Sequence, residues 1–588
     1  KYTHKLFLRF IDEQMAPNDM VAIASASGQI GFLQQLTDNK AVLRAAVDRL
    51  KYRNFAQGNL ERPPMSPFQA LKVDQEDRDV LDYYIDQYIK DVPFSSRESA
   101  ANVIHSRATQ ILQQASSIAN KTLAALESLV RNTRSVPGRK VVFFISDGFL
   151  LDPRNSDAHD RLRQITSLAA ATGVVVYSID ARGLSTGTET AIIDGASDPT
   201  GRMERGASAT AALAASQDGM NALAGDTGGR AFFNSNDLSA GVATGLKETS
   251  NYYLLAWRPE TEDQKSQRYR KIEVSVVGRD DLTVRFRRGF GDIKPEQAAA
   301  KPNKPGEPED KQTRSLLGQA LSGPMPKRDL PVALTLNFVD DPKSGLALSA
   351  ALRVVTAGMK PEATPQGPSA NLDIAGTVYD DQGKSVSGYS KRVSIRPLSS
   401  DSTRPPSAIL YHHLASLKPG LYQVRVAGLD VSQKRAGSAV QWIELPDLSN
   451  KKLAMSTLVV GEKNSEGDAT APPDVLEAGD NPFRDVKLNV EHRFAPSSNL
   501  RFLTYFYNVQ NGGADATVQV QVFRGTEAVI TMPPAKVSVE NGTDLARIPY
   551  AAEVALKDLQ PGWYVLKVTV TDNLAKATAS QSYSFKIE

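Results

Sequence analysis

The sequence predicts three domains: a doubly wound α/β domain over residues 1–290, then two all-β sandwiches over 325–450 and 452–588. Three observations carry this. The chain has 588 residues, more than a single hydrophobic core organises, so about three domains are expected. Two apolar runs in its first half, Val141–Ser146 and Val174–Asp180, are separated by one helical pattern and lead into Asp147 and Asp180. Runs that are apolar on both faces fit neighbouring parallel strands covered by helices. Beyond residue 325 helical periodicity gives way to short alternating strands between Pro/Gly turns, the pattern of sandwiches.

Composition narrows the function. With 69 basic and 66 acidic residues the net charge is only +3, so no strong pull toward nucleic acid or anionic membrane is implied. Cysteine is absent, which excludes disulfides, zinc-thiolate sites and thiol catalysis. No apolar run reaches the ~18 residues of a membrane-spanning helix. The chain opens at Lys1 without an initiator Met, as a trimmed piece of a longer protein would.

The elements of the first domain follow in order. Leu6, Phe7, Phe10, Ile11 and Met15 recur at helical spacing until Pro17-Asn18-Asp19. Met20–Ser25 reads as a strand, and Gly28 turns it into an antiparallel edge partner, Ile30–Leu36. Asp38 should cap a helix running to Leu50. Residues 51–95 form an insertion whose helix, Gln75–Lys90, shows Val80, Tyr83, Tyr84, Tyr88 and Ile89; Asp79, Asp82 and Asp86 are interleaved, so surface packing or a protein interface fits better than nucleic acid. Ser95 to Asn132 contains neither Pro nor Gly and predicts one long helix, with Pro137-Gly138 turning into the central strand. A helix over 157–172 should close at Gly173. Ala181–Ser216, rich in Gly, Ser, Thr and Ala, reads as a long functional loop. Leu223–Phe233 gives a helix end, a turn and a short strand; Asp237–Ser250 is a helix and Tyr252–Arg258 a strand. Lys271–Val277 and Leu282–Arg287 alternate like a hairpin.

Residues 291–324 read as a linker, Pro- and Lys-rich across 291–313, and a second linker is expected at Glu462–Asp485. A weak repeat supports paired sandwiches: Leu417-Lys-Pro-Gly-Leu-Tyr422 matches Leu559-Gln-Pro-Gly-Trp-Tyr564. A Pro-Gly turn followed by Tyr at a strand start resembles the tyrosine corner of immunoglobulin-like domains, so both sandwiches are expected to be of that kind.

Ligands of open α/β sheets sit beyond the carboxyl ends of the strands. The candidate site residues are therefore Ser146, Asp147, Gly148, Asp180 and Arg182. The segments Phe10–Met15, Gly138–Gly148, Thr227–Phe233, Tyr252–Trp257 and Tyr269–Val274 together resemble the VWFA-related domain proteins common in Acidobacteria, across roughly residues 1–290. The resemblance implies a von Willebrand factor A-like fold and a metal-ion-dependent adhesion site that binds Mg²⁺, with Asp147 as one ligand. Two departures leave that site incomplete. The strand carrying D-x-S-x-S is missing, because the chain opens in the helix that follows it. The Thr ligand also has no counterpart, since Thr109 and Thr122 fall inside the long helix.

Other patterns have plainer readings. Gly183-Leu-Ser-Thr-Gly187 matches G-x-S-x-G by letters, but Ser185 is not at a strand-to-helix turn. His412 and His413 should point to opposite faces of a strand, so they form no joint chelate. Thr227-Gly228-Gly229 precedes a strand and reads as a turn, not a phosphate loop. The sequence therefore predicts a non-enzymatic, exported or cell-envelope interaction protein whose partner is another protein, with no nucleic acid and no membrane span. The alternative is a structural subunit that packs against copies of itself.

Overall fold

The computed structural model describes the chain except residue 1, segments 17–18, 52–62, 153–155, 185–198, 256–269, 291–308, 397–407, 464–485, 511–514 and 538–543, and short stretches at 252, 254, 272, 280, 283, 285, 287–288, 324, 342–344 and 365–366. It falls into two compact units, Lys1–Pro302 and Asn303–Glu588.

In the first unit three parallel strands lie in the order β1 (Lys140–Ser146), β2 (Val174–Asp180), β3 (Ala231–Phe232). Val-, Ile- and Phe-rich runs of this length form strands because branched and aromatic side chains pack well on a pleated, buried surface. Helices cover both faces. The helices are α1 (Tyr2–Arg9), α2 (Lys40–Asp48), α3 (Pro67–Asp74), α4 (Arg78–Asp91), α5 (Arg97–Asn132), α6 (Ser156–Thr172), α7 (Pro199–Thr227) and α8 (Leu238–Ser250). On one face Leu123, Leu126 and Val130 of α5 and Leu162 and Ile165 of α6 pack on Val174 and Val176. On the other, Leu6 of α1 and Leu238 and Val242 of α8 pack on Ile179, with Phe143 and Ile145 alongside.

The 36-residue α5 serves two cores. Its second half covers the sheet; its first half, through Ala100, Ile104 and Ala108, packs with α3 and α4 around Tyr84 and Ile85. Ser96 caps α5 by accepting from the Ser99 amide, and Ser66 and Gln69 form a reciprocal capping box at α3. Tyr84, expected on a surface face, is 1% exposed and donates its hydroxyl to Pro64 O at 3.0 Å. Asp82 and Asp86 take the outward face, where both pair with Arg97.

Several expectations are corrected. Met20–Ser25 and Ile30–Leu36 are not strands: a single bridge joins Val21 to Thr37, and Gly31–Leu33 is a turn of 3₁₀ helix. Polar side chains satisfy the backbone instead, with Ser25 N donating to Gln34 Oε1 and Ser27 N to Ser25 Oγ. Asn39, not Asp38, caps α2, which stops at Asp48. β1 is not central. Among the described residues β2 is its one partner. Much of the expected loop Ala181–Ser216 is helix, because the Ala-rich stretch Ala207–Ala215 has the highest helix propensity of any side chain in quantity. Of the expected strand Tyr252–Arg258, Tyr253 and Leu255 are described, and both are exposed and outside any strand. The expected hairpin narrows to Arg270–Lys271 paired with Gly289–Phe290.

The second unit opens with α9 (Glu309–Ser322), so the end of the expected linker 291–324 is helical. Leu317 and Ala320 of α9 pack on Ala375, Ala427 and Leu429. The first sandwich sets the sheet of Ser385–Ile395, Gly367–Asp380, Gly420–Asp430 and Arg435–Leu445 against Ala408–Ser416, Gly345–Val355 and Val332–Asp341. The second sets Asn499–Tyr507, flanked by Val459–Lys463 and Arg547–Ala555, against Ala577–Ile587, Gly562–Asp572, Ala516–Arg524 and Glu527–Thr531. Period-2 burial is clean here: Leu566, Val568 and Val570 point in, while Lys567, Thr569 and Thr571 point out. The repeat has a shared local geometry. Tyr422 donates to Lys418 O at 2.9 Å and Tyr564 to Gln560 O at 2.7 Å, each four residues upstream. The sandwiches are joined by half-buried polar contacts, including Asp340 N donating to Tyr507 Oη and Phe338 N to Thr457 Oγ1. Of the expected second linker, Glu462 and Lys463 are the last residues of a strand and residues 464–485 lie outside the described ones.

Candidate functional site

The carboxyl ends of β1 and β2 lie side by side, with Ser146 opposite Asp180 in register. Ser146, Asp147, Gly148, Asp180 and Arg182 are therefore brought together, as the spacing of the two strands implies. The chain leaves β1 through a tight turn. Ser146 Oγ accepts from Gly148 N at 3.1 Å, and Phe149 N donates to Ser216 O of α7 at 3.1 Å. Gly148 has φ +88°, and a Cβ there would stand 2.6 Å from Ser216 O. Only glycine meets both conditions, which explains the third letter of Ser-Asp-Gly.

Asp180 is locked. It is 3% exposed, and its carboxylate accepts from the Arg182 amide and Nε at 3.0 and 2.9 Å, Arg182 Nη2 at 2.7 Å and Gln217 Nε2 at 2.9 Å. Burial is the largest single influence and pushes its pKa up. The hydrogen bonds from Arg182 and Gln217 and the Arg182 charge together outweigh it and hold Asp180 below the usual carboxylate range. Arg182 also donates Nη1 to Ser216 Oγ at 2.9 Å, which ties the end of β2 to α7. Ser216 ends the segment read from sequence as a loop and Gln217 follows it; the Ala-rich run before them is the signal that would have placed them on a helix.

Asp147 differs. Its residue surface is exposed, and among the described residues no hydrogen bond reaches its carboxylate. The protein crowded beneath it raises its pKa by desolvation; the Arg182 charge opposes this and the Asp180 charge adds to it.

On the far side of β2, a cleft of about 120 Å³ lies between Ile179, Phe232 and Leu238, rimmed by Ser235, Asp237 and Thr244. Asp237 caps α8 by accepting from Ser239 N and Ala240 N. Asn236 Oδ1 accepts from Leu184 N at 2.9 Å and fixes the chain after Arg182.

The other sequence candidates settle into structural places. Thr227 Oγ1 accepts from Val176 N and donates to Leu223 O, and a Cβ on Gly229 would lie 2.0 Å from Val176 O, so Thr227-Gly228-Gly229 clips α7 to β2. Thr109 donates to His105 O within α5. His413 meets Ser387 Oγ at 3.1 Å and lies against Tyr389 on the inner side of its strand. Ser185 lies outside the described residues.

Mg²⁺ asks for near-octahedral oxygen ligation. Asp180's oxygens are occupied by Arg182 and Gln217, and the guanidinium stands close enough to Asp147 to act on its charge. Among the described residues no three His, Asp or Glu side chains converge to hold a metal. The described residues do not by themselves make a Mg²⁺ site.

No family model matches the chain, and no curated protein matches it. Among solved structures it is similar to a Bacteroides uniformis β-glucuronidase, at 13% identity over 19% of this chain and 13% of that one, with a TM-score of 0.14. It is also similar to a D1–D4 ectodomain fragment of ICAM-5, at 12% identity over 43% of this chain and 53% of that one, again at 0.14. Similarities this loose carry no argument. Among the described residues no helix is long and apolar enough to cross a membrane.

Proposed function

We propose that this chain is an exported or envelope-associated binding protein that engages a protein partner through the carboxyl end of its three-stranded sheet, with Asp147 as the contact. One observation carries the reading. Of two adjacent strand-end aspartates, Asp180 is consumed by internal hydrogen bonds, while Asp147 is exposed on a turn held rigid by Gly148 and Ser216. A carboxylate that is accessible on a backbone held in place is suited to a cationic or hydrogen-bond-donating partner, because little backbone order is lost on binding. The reading takes the first unit as an A-type domain, supported by the parallel strands and their aspartate-bearing ends. It takes the sandwiches as immunoglobulin-like spacers, supported by the two tyrosine corners.

The test is a photo-cross-linker placed at Leu150, beside the turn, in the full chain exposed to an envelope extract. A discrete cross-linked protein, lost with Asp147→Ala but retained with Glu98→Ala at an exposed position of α5, is the expected result. Cross-links only to copies of the same chain favour a structural subunit, and products indifferent to Asp147→Ala overturn the proposal.

A further inference from the structure

We propose that the outer face of the second sandwich is a binding platform for an acidic polysaccharide. In the sheet of Ala577–Ile587, Gly562–Asp572, Ala516–Arg524 and Glu527–Thr531, inward positions carry Val, Leu, Phe and Tyr, and outward positions carry Ser, Thr, Gln and Lys over most of the face, with Trp563, Val565 and Phe523 gathered at one end. Thr578, Ser580, Ser582 and Ser584 form one exposed column. The pairing sets Ser582 beside Lys567, Lys567 beside Gln521 and Gln521 beside Thr531; one step along, Ser580 stands beside Thr569 and Thr569 beside Gln519. The result is a flat grid of hydrogen-bonding groups, with strands about 4.8 Å apart and same-face residues about 7 Å apart along each strand.

Two features select the occupant. Trp563 stands at one end of the grid with 60% of its surface exposed, beside Val565 on its own strand and Phe523 one strand over. An exposed indole next to a polar lattice suits the apolar face of a sugar ring, whose hydroxyls then meet the Ser, Thr and Gln side chains. The face lacks the apolar centre that a protein interface builds around. Charge makes the second selection. Lys567 lies within the grid, Lys586 faces Trp563 across the strands, and Lys536 pairs beside Thr517. The carboxylates stand at the margins: Glu527 opposite Arg524, and Glu588 accepting from Lys586 and Arg493. A chain bearing carboxylates therefore fits better than a neutral one.

Affinity electrophoresis of the full chain in gels containing polygalacturonate or dextran tests this. Retardation by polygalacturonate and not by dextran is expected. Trp563→Ala should weaken binding about tenfold, the effect of losing roughly 1.4 kcal/mol of stacking. Trp563→Phe should restore most of it, and Lys567→Gln should weaken it less and remove part of its salt dependence. Asp147→Ala should leave it unchanged, which separates this proposal from the one above. Both altered side chains face solvent, so unfolding midpoints should match wild type. No retardation by polygalacturonate, equal retardation by dextran, or retardation unaffected by Trp563→Ala overturns the proposal.

Discussion

β1 and β2 are adjacent, parallel and seven residues long, and each delivers an aspartate at its carboxyl end, yet only one of the two is tied down. Every residue of β2 is buried and every residue of β1 is only partly so. β2 has partners on both sides, and among the described residues β1 has one. The difference follows the strands to their ends. Asp180 sits where Arg182 and Gln217 close over it, and Asp147 sits where the chain turns outward over Gly148. In neighbouring positions of one sheet the same residue type serves as an internal clamp in one strand and stands exposed in the other.

Core substitutions should expose this contrast most strongly. Tyr177 in β2 is 1% exposed, lies 5.8 Å from the Phe143 ring and 6.4 Å from Phe232, so Tyr177→Ala should cost about 3–5 kcal/mol. Phe144→Ala in the half-buried β1 should cost only about 1–2 kcal/mol. Urea unfolding followed by far-ultraviolet dichroism measures both, and equal losses would mean that β1 is as deeply packed as β2.

Gly148→Ala should cost about 1–3 kcal/mol, because it combines left-handed backbone strain with a clash on Ser216 O. If thermal unfolding shows no loss, the β1 turn is not the rigid mount described above.

The pH dependence of the two aspartates should have opposite signs. Asp180 is held below the usual carboxylate range when folded, so its contribution is complete above the unfolded value and is lost as pH falls through the folded one. Asp147 is raised, so folding is favoured relative to the unfolded chain at low pH, and that advantage disappears as pH rises through the folded value. Carboxyl carbon shifts followed by NMR between about pH 2 and 7 should place the Asp180 midpoint below that of Asp147.

A smaller effect concerns the edge of β1. Lys140 N donates to Gly173 O and Ser146 O accepts from Ala181 N, so the even-numbered positions of β1 face β2. Peptide groups alternate along a strand, so Val141, Phe143 and Ile145 direct theirs the other way. Their amides should exchange with deuterium faster than those of Val142 and Phe144. Uniform protection would show that another strand covers that edge.

The fold was legible in the sequence wherever one signal dominated. The long helix before Asn132, both seven-residue strands, the helix from Asp237 and the twin tyrosine corners were all read from periodicity or turn chemistry. It was misread where composition pointed two ways. Small residues suggested a loop before Ser216, but alanine is also the strongest helix former, and α7 results. Met20–Ser25 looked like a strand by residue type, but its ladder stops at the single Val21–Thr37 bridge, and Ser25 N turns to Gln34 Oε1 instead. At the site, sequence located both aspartates and could not tell them apart. The distinction depends on Gln217 and Ser216, 37 and 36 positions beyond Asp180 in the chain, which contact is set by tertiary packing.

The most direct test compares Asp147→Ala with Asp180→Ala in the full chain at pH 7, through the deuterium-exchange protection of Val174–Asp180. Asp180→Ala strands the Arg182 guanidinium and should lower stability by about 2–4 kcal/mol. Asp147→Ala removes an exposed group and should change it by no more than about 1 kcal/mol. A loss at Asp147 equal to or larger than that at Asp180 would contradict the account, because Asp147 would then be a structural residue and not the group offered to a partner.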